Sequence, residues 1–199
     1  MKERIIQVTM EEIMQRGVKF SIRDIASHLG ISTKTIYQYF ESKEQIIGHI
    51  VDQSIKEMRE AERKLIDDRS LTIQQKVMKA LVVLPHGFVF HDIRTLHELK
   101  QRYPKQWREV DEYVNHGWEN IRQLVKEGTT EGVFRPFDLE LFIQVYIGAL
   151  YHMMDYHVAN RIELSLEKTL AQMVEFLMLG INKSEDGKKL EKPTGGGRG

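Results

Sequence analysis

The chain has 199 residues, 41% of them hydrophobic and 29% charged, and its formal net charge at pH 7 is zero. That composition is ordinary for a soluble globular protein, and the length allows a sizeable core in at most two modest domains. The absence of cysteine excludes disulfides, thiolate metal sites and a cysteine nucleophile, and suits a reducing cytoplasm.

No continuous apolar run of the signal-peptide kind opens the chain, because Lys2, Glu3 and Arg4 interrupt it. The most apolar stretch, Leu139 to Met154, is broken by Glu140 and Gln144 and falls short of a membrane span. A cytoplasmic protein without a membrane partner is the expectation. The neutral total conceals an uneven distribution. Between Arg16 and Lys43 stand Arg16, Lys19, Arg23, Lys34 and Lys43, against only Asp24 and Glu41. A basic patch near one end suits a small nucleic-acid-binding head on a larger body.

No alternating pattern argues for a sheet, so the fold class expected is all-α. The first helix is predicted from about Lys2 to Arg16, with Ile6, Met10, Ile13 and Met14 on one face and Gly17 as its stop. Ser21 and Asp24 form the ends of a capping box that opens a short helix, which Gly30 closes. Ser32 caps a third short helix through Phe40. Ser42 and Gln45 read as a second capping box, starting a long helix whose charged end, Arg59 to Arg69, joins head to body. Five further helices are expected, over roughly 72–84, 87–102, 105–130, 139–160 and 166–181. The domain boundaries that follow are 1–48 for the head, with residues 43–69 as connector, 70–182 for the body, and a disordered Lys-, Glu- and Gly-rich tail over 183–199.

The two short helices joined by Gly30-Ile31-Ser32 make a helix-turn-helix. Its inward positions, Ile25, Ala26, Ile31, Ile36 and Phe40, are apolar or small, as close crossing of two short helices requires. Its outward positions are Thr33, Lys34, Thr35, Tyr37, Gln38 and Tyr39, a set of hydroxyls, an amide and a cation.

Ser21-Ile22-Arg23-Asp24-Ile25-Ala26, Gly30-Ile31-Ser32, Thr35-Ile36-Tyr37-Gln38-Tyr39-Phe40 and Ser42-Lys43-Glu44, in that order and spacing, resemble the head signature of TetR-family transcriptional regulators. In the body the resemblance extends only to length, helix count and the Gly132-Val133-Phe134-Arg135-Pro136 lead-in to the penultimate helix. It implies a homodimer binding a palindromic double-stranded DNA operator. Thr33, Lys34, Tyr37 and Gln38 are then candidates for base edges, and Ser21, Arg23, Thr35, Tyr39 and Lys43 for phosphates. Lys34 stands where relatives often carry a small residue, so base preference does not transfer from them.

The last two helices are apolar on nearly every face, which argues for a second subunit against them. Tyr146, Leu150, Met173, Phe176 and Leu177 are the dimerisation candidates. Phe88, Phe90, His91, Tyr113, Trp118 and Tyr151 are the candidate pocket for an unidentified small-molecule effector. His152, Asp155 and His157 do not make a zinc helix, because an i, i+5 spacing turns the imidazoles about 140° apart. No cofactor and no catalytic residues are expected. Two rival readings are a TetR-like architectural or cell-division protein that senses nothing, and a helical enzyme using the body histidines and aspartates. The second lacks a nucleophile elbow or a phosphate-cradling loop.

Overall fold

The computed structural model describes residues 1–84, 90, 92–155, 158 and 165–181, and among these it is all-helical. The helices are α1 (Lys2–Arg16), α2 (Ile22–Leu29), α3 (Thr33–Tyr37), α4 (Lys43–Asp67), α5 (Ile73–Ala80), α6 (Ile93–Arg102), α7 (Pro104–His116), α8 (Glu119–Thr130), α9 (Leu139–Met153) and α10 (Leu166–Ile181). A single 3-10 turn, Gly17–Lys19, follows α1.

Local chemistry sets the head. Ser21 Oγ accepts from Asp24 N at 3.2 Å, and the Asp24 carboxylate accepts from Ser21 N at 2.7 Å, so the capping box is closed in both directions. Gly30 ends α2 in the left-handed region (φ 66°), where a Cβ would be strained. Ser42 caps α4, accepting from Gln45 N at 3.2 Å. The expected second box does not close, because the Gln45 carboxamide accepts from Glu41 N instead. Ile5, Ile25, Ile36, Ile46 and Ile47 are fully buried where α1 to α4 meet.

Two breaks depart from the sequence expectation. Residues 105–130 are two helices, not one: the α7 chain stops at Gly117, where a Cβ would lie 2.7 Å from the Tyr113 carbonyl. Trp118 then donates its indole N–H to the Val114 carbonyl at 2.8 Å, supplying a partner that the interrupted helix has lost. Likewise α9 ends at Met153, and α6 starts at Ile93 on the Asp92 cap. The expected start of α6 at residue 87 lies outside the described residues, as does the tail.

In the body, α5 packs on α8, α4 on α7, and α6 on α7. Head and body are joined by specific contacts. Lys19 Nζ meets Glu98 of α6 at 2.7 Å, and Gln106 of α7 donates to the Glu44 carbonyl at the start of α4 at 3.3 Å. Beside this joint, Glu109 of α7 shares a hydrogen bond with Asp52 of α4, which pushes its carboxyl up to about 7.

Candidate DNA-binding head and ligand cavity

The head exposes a set of polar, basic and aromatic side chains around its helix-turn-helix. Arg23, Thr33, Lys34, Gln38, Tyr37 and Tyr39 are all exposed, the two tyrosines by 53% and 44%. Leaving two large rings that open costs burial which the compact head could have taken elsewhere, so the surface is shaped for contact with something outside it. Helix α3 ends at Tyr37, so Gln38 is its C-cap and Tyr39 lies in the turn beyond, rather than in a helix running to Phe40. Phe40 closes the head from inside. Two of the hydroxyls proposed for phosphate are already engaged. Ser21 Oγ bonds the Asp24 carboxylate at 2.7 Å, and Thr35 Oγ1 lies 2.9 Å from Ser32 Oγ. Those Ser21 hydrogen bonds hold the Asp24 carboxyl below the usual carboxylate range.

Lys43 departs from its expected role. Its ammonium turns inward and donates to the carbonyls of Val18, at 2.7 Å, and Phe20, with the charge 3.9 Å from the centre of the Phe20 ring. Half-burial lowers its basicity, since desolvation disfavours the charged form. The chain leaving the 3-10 turn exposes carbonyls that no helix satisfies, and Lys43 satisfies two of them. Through these two carbonyls it straps the head together. Lys43→Ala is therefore expected to destabilise the fold by about 1.5–3 kcal/mol, the range for hydrogen bonds to a charged group. Chemical denaturation checks this; an unchanged midpoint would return Lys43 to the solvent-facing class.

The body holds a partly open cavity of about 130 Å³ among α4 to α10. Three of the predicted pocket residues, Tyr113, Trp118 and Tyr151, line it. Phe90 does not: it is buried in the core, 2% exposed. Phe88 and His91 lie outside the described residues. Sequence reasoning missed Glu62, Trp107 and Tyr146, which also form the wall. Tyr146 had been assigned to a dimer face, yet its ring stacks edge-on against Trp118 at 5.1 Å and its hydroxyl donates to the Leu81 carbonyl at 2.6 Å. Leu150, another dimer candidate, lines the same cavity.

The wall is mostly aromatic and aliphatic, and its polar groups are few and placed. Tyr151 donates to the Asp111 carboxylate and accepts from the Asn115 amide at 2.9 Å. Burial raises the Tyr113 and Tyr151 hydroxyls to about 12 and Tyr146 further still, so all three enter as neutral donors. Glu62 is 6% exposed; burial raises its carboxyl against the hydrogen bond from Asn120.

On the outside of α9 and α10, Leu141, Val145, Phe176 and Leu179 are exposed, Phe176 by 76%. Met173 and Leu177, named as dimer candidates, are half-buried against the core instead. Glycines at 148 and 180 leave open space in which no Cβ would meet anything. Of the five dimerisation candidates, Phe176 lies on this outward stripe, while Tyr146, Leu150, Met173 and Leu177 are one step around their helices towards the core.

Comparison with known proteins agrees with this architecture. The family model for bacterial regulatory proteins of the tetR family matches residues 5–50. The HTH-type transcriptional regulator YvaF of Bacillus subtilis (strain 168) is 30% identical over 186 residues, covering 94% of this chain and 98% of its own length. The fatty acid metabolism regulator protein of the same organism is 25% identical, covering 90% and 94%. Among solved structures, a TetR/AcrR-family regulator from Thermobifida fusca aligns with a TM-score of 0.66 at 21% identity, over 92% of this chain and 98% of that one. FadR from Bacillus subtilis, in complex with stearoyl-CoA, aligns with a TM-score of 0.59 at 22% identity, over 90% and 99%. The exposed helix-turn-helix surface and the full-length match to YvaF together place the chain in the TetR family, as a DNA-binding transcriptional regulator.

Proposed function

We propose that the protein is a cytoplasmic dimeric repressor that a small, mainly apolar molecule releases from a palindromic operator. The observation that carries this reading is the cavity's relation to α4. That helix starts in the head core with Ile46, Ile47 and Ile50, and ends by contributing Met58 and Glu62 to the cavity wall. At 1.5 Å per residue its 25 residues span about 37 Å as one rigid rod. A molecule that wedges the far end tilts the near end, and with it the head. Ligand and DNA then favour different head spacings, and each weakens the other by the same factor. A coupling of about 1–3 kcal/mol corresponds to a roughly 5- to 150-fold loss of operator affinity. The relatives are transcriptional regulators, and no catalytic role is assigned.

In this reading Thr33, Lys34, Tyr37 and Gln38 meet base edges, while Arg23 and Tyr39 meet phosphates, with Ser21 and Thr35 holding the helix starts that point backbone N–H groups at DNA. The exposed stripe on α9 and α10 meets its own copy.

The experiment is to select an operator duplex from a random pool and follow binding by fluorescence anisotropy. Lys34→Ala or Gln38→Ala is expected to relax the selected sequence by about 1–3 kcal/mol per contacted base pair. Arg23→Ala is expected to weaken all duplexes alike and lower the salt slope by about one phosphate contact. Equal loss on every sequence for Lys34→Ala and Gln38→Ala would reverse the division between base and phosphate contacts. A ligand that fills the cavity without changing operator affinity would favour a non-sensing architectural role.

A further inference from the structure

We infer that the cavity is built to receive a small apolar cation, an aryl- or alkylammonium type of molecule whose charge lies against Glu62. This deepens the ligand-responsive reading above and rests on it.

Glu62 is the observation to be explained. It sits on α4 with 94% of its surface covered, on the wall of a cavity lined otherwise by aliphatic and aromatic side chains. Among the described wall residues there is no lysine, arginine or histidine to neutralise it. Among the described residues, Asn120 of α8 donates a hydrogen bond to Glu62, Arg59 lies one turn back on α4, and Glu119 of α8 acts against its charge. Tyr113 of α7 feels the carboxylate from the facing wall. Arg59 is exposed, with its guanidinium 6.0 Å from the centre of the Tyr113 ring, and it is not part of the wall.

A buried carboxyl so poorly compensated is a cost to the empty protein. It has no packing advantage over a leucine of similar size. A ligand carrying a positive charge removes that cost on entry, because the carboxylate gains its counter-ion among mostly apolar side chains. The surrounding rings favour the same charge, since an aromatic face is electronegative. The protein's own cations show this preference from outside: Lys100 lies 5.7 Å from the Trp107 ring and 5.2 Å from the Tyr151 ring. The space suits a ligand of about one ring, because an apolar cavity of about 150 Å³ holds benzene. An anion with its charge inside would meet Glu62 with like sign. An acyl chain whose phosphates stayed outside near Lys100 and Arg59 would leave Glu62 unexplained.

The chain has two tryptophans, Trp107 and Trp118, and both are in the cavity wall, so their emission reports occupancy directly. The probes are benzylammonium, its uncharged carbon isostere ethylbenzene, and octanoyl-coenzyme A. In the unmodified full chain the cation is expected to bind more tightly than octanoyl-coenzyme A. Glu62→Gln is expected to weaken the cation at least tenfold and to leave ethylbenzene within twofold. Glu62→Asp, which keeps the charge, is expected to retain part of the cation's advantage. The inference is overturned if octanoyl-coenzyme A outranks the cation in the unmodified protein, a comparison that needs no variant. It is equally overturned if the cation gives no response, or if Glu62→Gln changes cation and isostere alike. Operator release, followed separately by anisotropy, tests the regulatory reading. A cation that binds without releasing DNA sinks that reading and spares the ligand class. Release by octanoyl-coenzyme A alone does the reverse.

Discussion

Phe134→Ala is expected to cost about 3–5 kcal/mol, the range for truncating a fully buried phenylalanine. For a chain of this size that lowers the melting temperature by roughly 6–20 °C, readable by calorimetry. Phe134 is 1% exposed and clasps three elements at once. The chain leaves α8 through Gly132, which takes φ 74°, and folds back so that Val133 N and Phe134 N both donate to the Gly128 carbonyl, at 2.8 and 3.1 Å. The ring then lies on Gly128 itself: a Cβ there would come within 2.5 Å of it, and within 2.9 Å of Ile73 on α5. The next residue continues the clasp, with Arg135 N and Nε donating to the Ile181 and Gly180 carbonyls at the end of α10. Loss of the ring therefore loosens α5, α8 and α10 together, and the cavity they help enclose. Gly128→Ala alone should also destabilise, by overpacking. Combined with Phe134→Ala it should cost less than the sum, because the added methyl enters vacated space. A melting temperature moved by less than 2 °C in Phe134→Ala would mean the clasp carries little of the stability.

What was legible in the sequence divides along physical lines. The head was read well because its determinants are local. Ser21 and Asp24 are three residues apart, Gly30 needs only its own φ, and Ile25 and Ile36 follow helical spacing. The contacts of Lys43 were not legible because the carbonyls that hold it belong to Val18 and Phe20, more than twenty residues earlier in the chain. No periodicity encodes that meeting. The break at Gly117 was available in principle, as a glycine inside an apparent 26-residue helix, but the Trp118 indole that stabilises the break acts only once the backbone has turned. Glu62 was hidden in the run from Arg59 to Arg69, where a charged residue reads as solvated surface, and burial by α7 and α8 is a tertiary fact. In α9 nearly every position is apolar, so hydrophobicity alone had no power to separate inside from outside. The backbone resolves it: Phe142, Tyr146 and Leu150 turn in, while Leu141, Val145 and Gly148 turn out.

Phe176→Asp is expected to convert a micromolar dimer into a monomer while leaving the fold of each chain nearly as stable as before. The side chain is 76% exposed, so its own subunit gains little from it. Leu179 beside it on α10, and Leu141 and Val145 on α9, are 72%, 62% and 46% exposed. Four large apolar groups left exposed on these two helices, with open glycines at 148 and 180, are area that water covers at a cost and that a second copy, meeting it by a two-fold axis, covers without one. An aspartate in the middle of that contact is an unpaired charge removed from water, worth about 3–5 kcal/mol, so dimer affinity should fall roughly 150- to 5,000-fold. Operator binding should fall with it, since two linked heads exceed one by about 10²–10⁴ in affinity. Tyr146→Phe supplies the contrast. It removes the hydrogen bond to the Leu81 carbonyl inside the subunit and should lower stability by about 1–2 kcal/mol with the dimer intact. Sedimentation and calorimetry on both variants separate the outer face of α10 from the inner face of α9. If Phe176→Asp stays dimeric at 1 µM with its operator affinity unchanged, the subunits meet through some other surface.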